Sequence, residues 1–482
     1  MSTTPAEGTP NLADLMDALP VDDDRGPSAE LHGALDRLVA DLARRPAPVG
    51  RVHRAWILGS MPAKVAAAYL AWWLRSRFDN AAGRERRLAE TRLRAAFELL
   101  ARMSYLRGAA MKAGQALAAY PSVVPTEFAE LLGRLSFEAP PMHLSLVREV
   151  IRRDLNAEPE DLFAEFEPKA FAAASFGQVH RARVSESGPP LAVKVQYPNM
   201  ARTIRSDMRN LRTVSAPMRL TRDWDNTLLQ LDDIAETLER ETDYKSEASY
   251  AATAREYFES HDEVVVPRID EARSGARVLT MEYLPGAHLR EYLGTDPPQE
   301  DRNRRGRQIT EAVLALSYKA GLLYADPQPG NFIFMPDGRL GLIDFGCCRR
   351  LTEADIEYFT EVEEAAMSGD DDAGWRSLIR GTDLPPSRWN DKDRRQWLMA
   401  YRDWMFEPVR HEGPFDFGAE SYFRRGVALY GECTRRWYTR SLPINTWLAR
   451  SVFGVRAMLT QLRAQIDYRA IWLRYTPVRI EE

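Results

Sequence analysis

The 482 residues carry 65 Lys and Arg against 70 Asp and Glu, a net charge of −5, with 45% hydrophobic and 28% charged side chains. This is the balance of a globular chain with room for a core of ~250–300 residues plus added helices, and its mildly acidic total excludes a global electrostatic case for nucleic acid. Cys347, Cys348 and Cys433 have no metal-ligand spacing, and a disulfide between the adjacent pair would be strained, so a reducing, cytoplasmic compartment is expected.

Residues 1–36 hold eight acidic residues and one arginine among several prolines and glycines, the composition of a disordered acidic tail. They lack the basic start and apolar run of a signal peptide. Residues 31–120 then read as helical, rich in Ala, Leu and Arg. Within them, residues 44–108 carry fourteen Lys and Arg against four Asp and Glu. Such a segment is either a solvated helix face or a peripheral contact with an anionic membrane or an acidic partner. Ala55 to Leu74 has the length to span a bilayer, but Pro62 and Lys64 interrupt it, which favours a buried or surface-lying helix. Pro121 and Pro125 break the helix, Thr126 can cap the next, and Pro140-Pro141 ends that one. A further helix over 143–155 places Leu144, Val147, Val150 and Ile151 on one side.

The pattern next turns to strands. Phe171 to Val184 and Leu191 to Gln196 are short runs separated by the turn-rich stretch Ser185 to Pro190. Residues 201–260 return to helix, Val264 to Pro267 and Arg277 to Tyr283 read as strands, and Arg302 to Gly321 reads as a helix. Asn331 to Met335 and Leu340 to Ile343 form a hairpin about Pro336-Asp337-Gly338, and the chain beyond Thr352 is mainly helical. Strands followed by helices with one hairpin predict an α+β, two-lobed kinase-like fold. The expected divisions are an acidic tail (1–36), a helical N-terminal extension (37–155), an N-lobe (156–286) and a helical C-lobe with C-terminal helices (287–482).

Three residues carry the chemistry of phosphoryl transfer. Asp326 and Asn331 lie five residues apart, and Asp344, opening Asp-Phe-Gly, follows thirteen residues later. Transfer of a phosphoryl group needs hard oxygen ligands for Mg²⁺ and a carboxylate beside the attacking hydroxyl, and this order and spacing supply them. Asn331 and Asp344 are the candidate metal ligands and Asp326 the candidate catalytic residue. Upstream, Ala172 to Val179 fits G-x-G-x-x-G-x-V with alanine in the first two glycine places and Gly177 in the third. Ala172, Ala174, Ser175, Phe176, Gly177 and Val179 are candidate nucleotide contacts, and the alanines would hold phosphates differently from glycines. Lys194, fifteen residues after Val179 in an apolar strand, is the candidate phosphate-holding lysine. It needs a carboxylate partner, for which Glu247 is preferred, with Glu241 a second active-site carboxylate. Glu282 and Tyr283, in the strand leading to Pro285-Gly286, can offer backbone to an adenine edge.

Together these residues resemble the AarF/UbiB family of atypical kinases, also called the coenzyme Q kinase-like family. Met111-Lys112-Ala113-Gly114-Gln115 is similar to its Lys-x-Gly-Gln signature, Ala172 to His180 to its alanine-rich loop, and Glu241-Thr242-Asp243 to its Glu-x-Asp signature. Val193 to Pro198 is similar to the family's lysine strand, and Ala325-Asp326-Pro327 with Pro329-Gly330-Asn331 to its catalytic loop. The resemblance implies ATP and Mg²⁺ binding, and ATPase or small-molecule kinase activity tied to lipid or isoprenoid chemistry. It also implies that Lys112 folds across the site and pairs with Glu241. Tyr324 and Gln328 stand where the family usually has histidine. No Ala-Pro-Glu segment follows Asp-Phe-Gly, which argues against a protein kinase, while a nucleotide-binding pseudokinase would keep the same residues.

Overall fold

The computed structural model describes residues 142–478, apart from 175, 199, 216–227, 229–231, 233–234, 237, 383–388, 437 and 439–442. The acidic tail, the basic segment and the Lys112 signature therefore lie outside the described residues. The chain divides into two compact units, Met142–Pro198 with Arg240–Glu482, and Met1–Pro141 with Asn199–Glu239.

The first unit opens with α1 (Leu144–Leu155), the one-turn α2 (Pro159–Leu162), β1 (Glu165–Phe166), β2 (Ala172–Ala174), β3 (Gly177–Arg183) and β4 (Leu191–Gln196). In the second unit α3 (Met200–Ser215) carries Arg205, paired with Glu239, and Arg212, paired with Asp232. Back in the first unit come α4 (Tyr244–Phe258), β5 (Val264–Val265) and β6 (Val278–Glu282). Strands β1, β3, β4 and β6 lie side by side in that order, antiparallel, with β2 on β3. Successive side chains of a strand point to opposite faces. Val193 and Val195 accordingly join Val147, Val150, Ile151 and Val278 in one buried cluster beneath α1, which leaves Ala192, Lys194 and Gln196 on the other face. The tie is polar as well, since Asp154 near the end of α1 accepts the N–H groups of Ala276, Arg277 and Val278. A boundary drawn at 155–156 thus separates α1 from the sheet its apolar side covers.

The helical part of the same unit begins with α5 (Leu289–Gly294), α6 (Gln299–Tyr318), β7 (Leu322–Tyr324), β8 (Phe332–Phe334), β9 (Leu340–Leu342) and β10 (Cys348–Arg350). Strands β8 and β9 form the expected hairpin, and β5 joins β9 in parallel. Strand β7 pairs with β10 antiparallel, Tyr324 opposite Cys348, a ladder that the sequence pattern does not announce. The chain ends with α7 (Glu353–Met367), α8 (Asp371–Arg380), α9 (Lys392–Arg410), β11 (Phe415–Asp416), α10 (Glu420–Arg435), α11 (Pro443–Leu462), β12 (Gln465–Ile466) and α12 (Tyr468–Tyr475). A continuous core runs from α4 through α6 and β7–β9 to α9, α11 and α12, with Phe332, Leu342, Trp404, Leu459 and Trp472 all buried in it. The architecture is α+β, with a sheet-bearing lobe and a helical C-terminal region. No helix among the described residues is long and apolar enough to cross a membrane.

Candidate nucleotide and phosphoryl-transfer site

Lys194 lies mid-strand in β4, opposite Val179 on one side and Leu279 on the other. It is 7% exposed. A buried ammonium needs paired charge, and two carboxylates supply it. Lys194 Nζ donates to Glu247 Oε1 at 2.9 Å and Oε2 at 3.1 Å, and to Asp344 Oδ2 at 2.9 Å. Its Nζ also lies 5.1 Å from the centre of the Tyr244 ring. Burial pulls its pKa down, but Asp344 and Glu247 outweigh that and hold the ammonium well above its ordinary range. For Glu247 burial is the strongest influence and raises its carboxyl, with Lys194 and the N–H of Phe345 opposing.

Glu247 faces the lysine because α4 begins where it does. Asp243 caps the helix, accepting from the Lys245 N–H at 3.2 Å and the Ser246 hydroxyl at 2.6 Å. Asp243 therefore works at the helix end. It also divides the helical stretch expected over 201–260. Glu241 is buried in the turn just before the cap.

The alanine-rich loop is a tight hairpin. Ala172 pairs with Val179 and Ala174 with Gly177. Gly177 cannot be replaced in this arrangement, since a Cβ there would fall 2.2 Å from the Val195 carbonyl oxygen. Phe176 is buried and Val179 half-buried, while Ser175 lies outside the described residues. On the connector, the Glu282 N–H donates to the Arg268 carbonyl at 3.0 Å and the Tyr283 N–H to the Pro190 carbonyl at 3.1 Å. Only their carbonyls are left to read an adenine edge. The Glu282 carboxylate is turned to Arg268 and Arg255.

Asp326 follows β7. The Asn331 side-chain N–H donates to the Asp326 carbonyl at 2.8 Å, which fixes the amide and leaves its oxygen for a ligand. Gln328 donates from its amide to Asp326 Oδ1 at 3.0 Å. Tyr324, only 2% exposed, donates its hydroxyl to the Asp344 carbonyl at 2.7 Å. Burial keeps that phenol protonated, and it is therefore a donor. The two replacements at family histidine positions are thus occupied: Tyr324 ties the Asp326 strand to the Asp344 segment, and Gln328 steadies Asp326. Asp344 Oδ1 accepts from the Gly346 N–H at 3.0 Å, and Phe345 is buried against Tyr324 at 5.8 Å between ring centres.

Sequence reasoning misses one residue here. Arg450, on α11, brings a guanidinium nitrogen to 3.5 Å from Asp326 Oδ1. It lies in a helix with no recognisable signature, so nothing local marks it. Among the described residues no cluster of three or more His, Cys, Asp or Glu could hold a metal ion by itself. Asn331 and Asp344 supply one amide oxygen and one carboxylate, the sparse protein donor set that suits Mg²⁺ shared with phosphates.

Residues 134–376 match the model of the ABC1 atypical kinase-like domain. The protein "ACTIVITY OF BC1 COMPLEX KINASE 8, chloroplastic" of Arabidopsis thaliana is 30% identical over 287 residues, 58% of this chain and 37% of that protein. The atypical kinase COQ8B, mitochondrial, of Danio rerio is 29% identical over 386 residues, 76% of this chain and 58% of that protein. The chain thus spans between about a third and somewhat over half the length of these relatives. Among solved structures, Rv3197 from Mycobacterium tuberculosis in complex with erythromycin is similar with a TM-score of 0.56 at 26% identity, covering 82% of this chain and 99% of that one.

Proposed function

Because the chain belongs to the ABC1 atypical kinase-like family, the AarF/UbiB family that its signatures resemble, we propose that it is an ATP- and Mg²⁺-dependent phosphotransferase or ATPase acting on, or coupled to, a small lipid-like or isoprenoid molecule. The observation that carries this reading is the triad of buried Lys194 and Glu247 with half-buried Asp344, with Asp326 tied to the same segment through Tyr324. Lys194 would hold nucleotide phosphates, and Asn331 and Asp344 would hold Mg²⁺. Nucleotide would supply the phosphoryl group, and Asp326 would take the proton from the attacking hydroxyl or water. Glu241, buried just before the cap of α4, would be a second carboxylate of the site.

A small acceptor suits the path beyond Asp344. The chain runs from Gly346 through β10 into α7, whose first turn is fixed by Thr352 and Asp355 capping each other. That leaves little chain for docking a protein substrate. The basic segment before residue 108 would add peripheral contact with an anionic membrane.

The test is thermal denaturation with ADP or ATP, with Mg²⁺ and with a chelator, followed by single-turnover hydrolysis. Binding to the folded state alone raises its stability by about 2.7 kcal/mol at a hundredfold excess over Kd. The expected result is a large shift with Mg²⁺ that is mostly lost in chelator, and turnover that Asp326→Asn abolishes. Equal shifts in both conditions would remove the metal assignment, and binding without turnover would leave a pseudokinase.

A further inference from the structure

We infer that Arg450 is a positioning residue for Asp326, an inference that rests on the reading of Asp326 as the catalytic carboxylate. The guanidinium lies 3.5 Å from Asp326 Oδ1, and the two side chains are only 21% and 15% exposed. Gln328 donates to that same oxygen at 3.0 Å. Among the described residues no hydrogen bond reaches Oδ2. Both donors therefore engage one oxygen from the protein side, and the carboxylate presents its other oxygen to an acceptor hydroxyl or water.

A carboxylate on a loop could turn about its own bond, and a neutral amide alone is a weak brace. A charge-assisted contact is about twice as strong as a neutral one. The cation is delivered from a rigid base. One turn beyond Arg450, Gly454 lets α11 lie directly on Pro327, with the position of a missing Cβ only 2.6 Å from Pro327 Cγ. One turn before it, Trp447 is buried with Leu323 and Ala325, on either side of Tyr324. The Arg450 guanidinium carbon is 5.9 Å from the Trp447 ring centre, and that of Arg240, beside Glu241, is 5.5 Å from the same ring. The helix thus grips both flanks of the Asp326 segment and aims one charged side chain between them.

Positioning predicts a loss of rate without a loss of nucleotide. Arg450→Gln, Arg450→Lys and wild type are compared in the full chain by single-turnover ATP hydrolysis, by titration with a fluorescent ADP analogue, and by the thermal shift that ADP with aluminium fluoride gives beyond ADP alone. Arg450→Gln should slow turnover roughly 10- to 100-fold, the worth of one charge-assisted hydrogen bond. It should keep ADP affinity within about twofold and lose the extra shift from aluminium fluoride. Arg450→Lys should recover part of both. Unchanged turnover in Arg450→Gln would overturn the inference. So would a fall in ADP affinity and melting temperature parallel to the fall in rate in both variants, because that marks a structural role. A wild type without turnover would instead sink the parent reading of Asp326, and a variant that matched an active wild type would sink only this one.

Discussion

Gly454→Ala should destabilise the protein, although alanine is the better helix former. The added Cβ would sit 2.6 Å from Pro327 Cγ and 2.8 Å from the Pro327 carbonyl oxygen. Carbon atoms rest at about 3.5–4.0 Å, so α11 must withdraw by about 1 Å. Overpacking of this kind costs about 1–3 kcal/mol, and the intrinsic helical gain of alanine over glycine offsets about 1 kcal/mol of it. The net expectation is a loss of about 1 kcal/mol. Gly431, in α10, is the control, because a Cβ there meets nothing within 4 Å. Gly431→Ala should therefore gain about 0.5–1 kcal/mol. Urea unfolding followed by tryptophan fluorescence reads both variants against wild type. If Gly454→Ala stabilises as Gly431→Ala does, α11 does not rest on Pro327 and the placement of Arg450 loses its support. If the clash is real, Gly454→Ala should also slow turnover, because the displaced turn carries Arg450.

Tyr324→Phe removes a buried hydrogen bond to the Asp344 carbonyl and should cost about 1–2 kcal/mol while reducing turnover; a variant with wild-type stability would show that the two segments are not joined there. Glu363, on α7, accepts from the hydroxyl of Tyr318, and burial pushes its carboxyl from 4.5 up to about 8. The folded state therefore keeps a proton that the unfolded chain releases, so stability should fall as pH rises from about 4.5 to about 8 and level off above, by as much as a few kcal/mol. Glu363→Gln should flatten that decline, and equal urea midpoint differences between the two proteins at pH 5.5 and 8.5 would refute it. Lys194→Met leaves the Glu247 carboxyl buried without its cation, and since burial already raises that group, the variant should lose stability relative to wild type with rising pH and abolish Mg²⁺-dependent nucleotide binding. A constant difference between the two proteins across pH 5 to 9 would count against the buried pairing.

Much of the architecture is legible in the sequence because its signals are local. Leu191-Ala192-Val193-Lys194-Val195 alternates as a strand covered on one face, and Pro336-Asp337-Gly338 is turn chemistry between two apolar runs. Strand β10 is not legible, because Cys348-Arg349-Arg350 has no strand composition and acquires its conformation from pairing with β7. The capping role of Asp243 is hidden for a related reason, since the same residue four places before Glu247 reads equally well as part of a charged helix face. Tyr324 and Gln328 are visible only as departures from a pattern, and what each one holds is set by the fold. Arg450 is further from the sequence still, reaching Asp326 across the packing of a helix that carries no signature of its own.

The ladder between β7 and β10 has a bearing on control. The Ala325 N–H donates to the Cys347 carbonyl at 3.1 Å and the Leu351 N–H to the Gly321 carbonyl at 2.8 Å, which extends the pairing past both ends of the strands. Kinases in which the packing of the Asp-Phe-Gly phenylalanine sets the active state can switch by moving that segment. Here such a movement would unzip a strand, withdraw Phe345 from the core and break the Tyr324 bond in one event. The two acidic residues that the proposed transfer would require, Asp326 and Asp344, are thereby joined into a single mechanical part, in which neither segment can shift without carrying the other.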